Sequence, residues 1–136
     1  MNAPSAKLRL KILSDPANLA AVRQAVEALC HENGLGKKAA DEVGLCLNEA
    51  LANVIRHAYG EAANRPIEID AEYRDDAMRI SIRDWGNGVT PHKRPPKPHD
   101  PLRPGGLGMI CLSQMMTEVK FTPQPDGMLL ELTRKK

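Results

Sequence analysis

Two stretches, IEIDAEY at 67–73 and MRISIRD at 78–84, alternate apolar and polar side chains with a period of two, and only four residues separate them. That period puts the apolar residues on one face of a pleated strand, a pattern a helix cannot use. The polar pair Asp75-Asp76 between them reads as the turn of a hairpin. The chain is thereby committed to an antiparallel sheet with one apolar face, and that face must be covered.

The cover is found upstream. Leu19, Val22, Val26, Leu29 and Cys30 recur at helical spacing. Asp15 and Pro16 start that helix as cap and first helical residue, and Asn33-Gly34 stops it. A second helix is expected from about Lys37 to Tyr59, with Gly60 as its breaker. Its Val43, Leu47, Ala50, Val54 and Ala58 form one stripe that should face the sheet.

Three further strands complete the pattern. Leu8, Leu10 and Ile12 alternate with Lys7, Arg9 and Lys11, while EVKF (118–121) and GMLLELT (127–133) flank the turn Pro125-Asp126-Gly127. Residues 107–116 read as a short apolar helix. Before them, residues 89–106 carry six prolines and four Lys or Arg, which rules out helix and central strand. A long loop inside a compact domain is usually either functional or disordered. The order is β-α-α-β-β-loop-α-β-β, without an internal repeat. The expected fold is α+β, a two-layer sandwich with a mostly antiparallel, mixed sheet and helices packed on one face, formed by residues 1–136 as one domain.

Composition narrows the function. One Trp, one Phe and two Tyr provide few stacking platforms for single-stranded nucleic acid, and a net charge of +2 is too small for an electrostatic grip on DNA. No apolar run reaches membrane-spanning length, and the start MNAPSAKLRLKIL is unlike a signal peptide. Cys30, Cys46 and Cys111 are odd in number and lack CxxC spacing, as expected of buried thiols in a reducing cytosol. The expectation is a cytoplasmic protein without direct nucleic-acid or membrane contact.

Three places can carry chemistry. In NEALANVIRHAYG (48–60), Glu49, Asn53 and His57 fall about 40° apart in succession along one edge of the second helix. Asn and Glu offer oxygen to a hard cation, and a carboxylate can take a proton from a hydroxyl. A solvated helix flank has the same pattern. In DWGNGV (84–89), Asp84 can accept a hydrogen bond while Gly86 and Gly88 let backbone approach a ligand, although Asn87-Gly88 is also an ordinary turn signal. In GGLG, Gly105, Gly106, Leu107 and Gly108 open a helix whose free N–H groups suit a phosphate, or else hinge the loop. Together the places divide a nucleotide into metal, base, lid and phosphates.

At these residues the chain resembles the histidine-kinase-like (GHKL) ATPases, whose domain is the Bergerat fold. More closely it resembles the anti-sigma-factor serine/threonine kinases, whose N box E-x-x-x-N-x-x-x-H-A-Y is matched by Glu49, Asn53, His57, Ala58 and Tyr59. Asp84, Gly86 and Gly88 match the G1 box, and Gly105, Gly106 and Gly108 the G2 box. The resemblance implies ATP and Mg²⁺ as cofactors, with Asn53 on the metal and Asp84 on the exocyclic amine of adenine. It implies that Gly86 and Gly88 pass the base, that Gly106 and Gly108 face the phosphates, and that Glu49 is the general base on a serine of a protein substrate. His57 has either a phosphate contact or a capping or packing role. Residues 89–104 would be the ATP lid, with Lys93, Arg94, Lys97 and Arg103 as phosphate or partner contacts or simply solvated. The implied partners are a sigma factor and a STAS-type anti-sigma-factor antagonist, with the kinase as a homodimer.

Two features depart from the family pattern. A Thr that often follows the Gly at the start of the last strand, and holds adenine through water, is replaced after Gly127 by Met128 and Leu129. The lid is also rich in proline, which stiffens it into extended segments and should slow its closure. Histidine kinases usually have Asn at the first N-box position and need a separate His-bearing domain, so they fit less well. The expected activity is phosphoryl transfer to a protein serine within an anti-sigma partner switch. The alternative is a non-catalytic ATP-binding module that sequesters a partner.

Overall fold

The structure is a computed structural model and describes residues 6–86 and 112–136. Strand β1 (Ala6–Leu13) is followed by helices α1 (Leu19–Glu32) and α2 (Lys37–Asn53). The hairpin β2 (Pro66–Arg74) and β3 (Ala77–Asp84) comes next, and β4 (Glu118–Gln124) with β5 (Gly127–Lys135) closes the chain. The strands form one sheet in the order β1-β2-β3-β5-β4, and every described ladder is antiparallel.

Local signals act as their chemistry dictates. The Asp15 carboxylate accepts from the Ala17 N–H at 2.9 Å and caps a 3-10 turn, Pro16–Asn18, that leads into α1. Helix α1 ends in a Schellman arrangement: Leu35 N–H reaches Cys30 C=O at 3.0 Å, Gly34 N–H reaches His31 C=O at 3.1 Å, and Leu35 is buried behind them. Asp75 and Asp76 both have positive φ, 54° and 59°, as a type I′ hairpin turn requires. Pro123 lies in the edge strand β4, where its missing N–H is tolerated.

The core lies between the sheet and the two helices. Ile67, Ile69 and Ala71 of β2, Met78, Ile80 and Ile82 of β3, and Leu130 and Leu132 of β5 meet Val22 and Val26 of α1 and Val43, Leu47 and Leu51 of α2. Cross-strand register aligns these residues, for example Ile69 with Ile82 and Ile82 with Leu130. The opposite face is charged: Lys7, Arg9 and Lys11 of β1 stand across from Glu72, Asp70 and Glu68 of β2 at 3.9, 2.6 and 3.7 Å. Such exposed pairs add little stability, but they keep this face polar. An open hollow of about 630 Å³ there is lined by side chains such as Arg9, Asp70, Arg79 and Glu131. It lies across the sheet from the candidate site. Among the described residues, no helix is long and apolar enough to cross a membrane.

Two expectations are refined. The second helix does run to Ala58, but its last turn, Val54–Ala58, is a π-helix. Tyr59 N–H bonds to Val54 C=O at 3.0 Å, five residues back, and the chain then reverses through Gly60 and Glu61 at φ 56° and 70°. The last hairpin is longer than its alternating core, with Gln124 opposite Gly127 across a two-residue turn. Of the expected short helix, residues 112–116 are described, and 112–115 of them are helical.

Candidate functional site

The C-terminal end of α2 and the end of β3 form one corner, and Tyr59 joins them. Its ring is buried, and its hydroxyl accepts from the Trp85 N–H at 2.7 Å and donates to the Pro66 C=O at 2.5 Å. One side chain thus ties the helix end to the start of β2 and to the residue after Asp84. Burial pushes the Tyr59 phenol up, so it stays protonated and able to donate. The Arg65 guanidinium lies 5.2 Å from the centre of the same ring. Ser14, also buried, fastens the loop before β2: it accepts from Arg65 N–H at 3.1 Å and donates to Ala62 C=O.

Gly86 packs directly on the helix end. A Cβ at that position would lie 2.7 Å from the Ala58 Cβ and closer still to the Ala58 carbonyl oxygen. Glycine is required here by the approach of one backbone to another, before any ligand is considered. Gly127 serves the neighbouring strand in the same way, since a Cβ there would collide with the Asp84 carbonyl group. Arg83 closes the outer side of the corner. It donates to the Asp84 C=O and to the Asp126 carboxylate, and its guanidinium stands 4.5 Å from the Trp85 ring centre.

Asp84 itself is 4% exposed, on the helix-covered face of the sheet. Its carboxylate accepts from the Gly86 N–H at 3.0 Å. Burial raises its pKa above the ordinary value, against the opposing pull of the Gly86 N–H, the Arg83 charge and the Met128 N–H. A carboxylate has room for further donors, so Asp84 can take an amine beside the Gly86 bond. Met128 pairs with Asp84 across the β3–β5 ladder and offers it an N–H.

On α2, Glu49 and Asn53 are half-buried along one edge. Glu49 makes no hydrogen bond or ion pair among the described residues, whereas Asn53 Oδ1 accepts from Arg56 Nη2 at 3.1 Å. His57 is exposed and has no hydrogen-bond partner among the described residues. The π turn advances fewer degrees per residue than an α-helix, which brings His57 closer to the line of Asn53 than regular spacing implies. Gly88, the lid at 89–104, and Gly105, Gly106, Leu107 and Gly108 lie outside the described residues.

Two side-chain contacts escape the sequence pattern, one at the site and one that braces the layers. Arg56 is three residues from Asn53, a spacing at which helical side chains meet. Arg134 on β5 donates to Glu42 on α2 at 2.8 Å and to the Met115 C=O at 2.6 Å, tying the helical residues 112–115 to both layers. Nothing in the local sequence marks that long-range bond.

A model of the histidine kinase-like ATPase domain matches residues 12–134, and the chain belongs to that family. It is 23% identical over 131 residues to the serine-protein kinase RsbW of Oceanobacillus iheyensis, covering 90% of this chain and 83% of that protein. It is 26% identical over 98 residues to the anti-sigma F factor of Bacillus subtilis, covering 68% of this chain and 67% of that one. The RsbU and RsbW domains of Rv1364c from Mycobacterium tuberculosis superpose with a TM-score of 0.73 over 98% of this chain and 33% of theirs, at 17% identity. At that identity the likeness shows the fold alone.

Proposed function

We propose that this chain is an ATP-dependent serine-protein kinase that acts as an anti-sigma factor, holding a sigma factor or instead phosphorylating a serine of a STAS-type antagonist. The observation that carries the reading is the corner itself. Ala58 against Gly86 and Tyr59 on Trp85 lock the helix edge bearing Glu49 and Asn53 to the strand end bearing Asp84. The relatives named serine-protein kinase and anti-sigma factor support the class of activity.

The residues fit ATP and magnesium. Asp84 is a buried acceptor with spare capacity, as an adenine amine needs. Among the described residues, no cluster of three or more His, Cys, Asp or Glu could hold a metal by itself. Magnesium in phosphoryl-transfer sites takes few protein ligands and shares the phosphates, so the Asn53 amide oxygen suits it. Bound there, the metal would neutralise phosphate charge and ATP would supply the phosphoryl group.

The chain's own tasks follow from position. Asn53 would hold the metal through Oδ1. Asp84 would orient the base and the backbone at Gly86 let it pass, with Gly88, outside the described residues, assigned the same task by the resemblance. By the resemblance, Gly105, Gly106, Leu107 and Gly108 would serve the phosphates and residues 89–104 the lid, all of them outside the described residues. His57, exposed beside Asn53, is available to the phosphates. Glu49 accepts the proton of the incoming serine hydroxyl, a task suited to a carboxylate that has no competing partner among the described residues. A homodimer belongs to the same proposal.

The test uses the full chain, labelled ATP, MgCl₂ and candidate antagonist proteins. Transfer to serine should occur with wild type and be lost with Glu49→Gln while ATP binding is kept. Equal transfer by both would remove Glu49 from its role. ATP binding without transfer to any antagonist would favour a non-catalytic module.

A further inference from the structure

The Asn53 oxygen is engaged by the chain's own cation. Arg56 Nη2 donates to it at 3.1 Å from the first π turn, one helical turn onward. Chemistry fixes which atom is involved, because a guanidinium has only donors and must face the amide oxygen rather than its nitrogen. Arg56 is half-buried, its Nε is buried without an acceptor, and no carboxylate pairs with it among the described residues. The guanidinium is half-buried rather than enclosed, so on leaving Asn53 it can exchange that one neutral oxygen for water. A divalent cation needs the same lone pairs and is repelled by the same positive charge.

We infer that Arg56 competes with the divalent cation for Asn53 Oδ1, so that metal loading is coupled to departure of the guanidinium. The inference rests on the reading of Asn53 as metal ligand and adds a device that sets how much metal the site needs. Arg56 is accordingly a positioning residue: it holds Asn53 Oδ1 away from the cation until the cation prevails.

The experiment titrates MgCl₂ into the full chain with a fixed concentration of methylanthraniloyl-ATP and follows the fluorescence of the bound nucleotide. Arg56→Met keeps the apolar stem and removes the donors. It should lower the Mg²⁺ concentration for half effect about fivefold or more, as expected for removing one charge-assisted competitor. Arg56→Gln removes the charge with a smaller change in polarity. It should shift the midpoint in the same direction, and it covers the case in which Arg56→Met folds poorly. A purely structural role would change melting temperature and leave the Mg²⁺ midpoint where it is. Asn53→Ala separates the two claims. If it abolishes the Mg²⁺ dependence while the folded Arg56 variants keep the wild-type midpoint, the site reading stands and the competition is overturned. If Asn53→Ala leaves the Mg²⁺ dependence intact, or wild type shows none, the site reading fails and the inference fails with it.

Discussion

The hydroxyl of Tyr59 accepts the Trp85 backbone N–H at 2.7 Å, so the last residue of the N box holds the residue that follows the key aspartate of the next box. Two motifs separated by more than twenty residues are thereby one structural unit. Their common presence in a chain has a mechanical reason.

Tyr59→Phe tests that unit. The change keeps the buried ring and strips a bond from each of two backbone groups, the Trp85 N–H and the Pro66 C=O. Leaving such groups unpaired should cost about 1–3 kcal/mol. Urea unfolding should show that loss, and Trp85, the single tryptophan, reports the corner directly through its emission. An unchanged midpoint and unchanged emission would mean that the hydroxyl is not what joins helix to strand.

Gly86→Ala should be more damaging than its size suggests. The new methyl meets the backbone and Cβ of Ala58, which cannot rotate away as a long side chain would. Overpacking of this kind costs about 1–3 kcal/mol, or more when backbone must move. ATP affinity should fall together with stability, because Asp84 and Trp85 move with the strand end. A variant with wild-type stability that loses only ATP would instead assign Gly86 to the ligand alone.

Much of this was legible beforehand, for physical reasons. The hairpin, the Asp15 cap and the Asn33-Gly34 stop depend on neighbouring residues, so local chemistry announces them. The positions of Glu49, Asn53 and Asp84 follow from helical spacing and from the alternation that puts Asp84 on the same face as Ile82. The π turn was not legible, because regular spacing cannot reveal one extra residue in a turn. Nor were the bonds from Tyr59 to Trp85 and from Arg134 to Glu42, which join residues 26 and 92 positions apart. Arg56 was within reach of spacing, yet a basic residue on a helix flank gives no sign of what it binds.

Cys30 should be chemically silent in the folded chain. It is buried, and desolvation pushes its thiol up to about 11, with Glu27 adding to the rise. At pH 8 only about one molecule in a thousand would carry the reactive thiolate. Mass spectrometry after brief iodoacetamide treatment should therefore find Cys30 unmodified in the native protein and modified in urea. Rapid native labelling would show that α1 opens far more readily than its packing implies.

Acid should act on Asp84 in two opposite ways. Burial lifts its folded pKa above the ordinary 3.8, so between that value and the raised one the native chain holds a proton that the unfolded chain has lost. Stability then falls as pH rises through this window, and above it the buried charge is a standing cost. Ligand binding runs the other way, since only the ionised carboxylate keeps its full acceptor capacity for an adenine amine. ATP affinity should therefore drop on acidification at a pH above that of an exposed carboxylate. Asp84→Asn provides the comparison: the melting-temperature difference between variant and wild type should shrink as pH is lowered through the window, because both side chains are then neutral. A difference that stays constant or grows would place the Asp84 carboxyl at or below its ordinary pKa, and the pH dependence of ATP binding would need another residue.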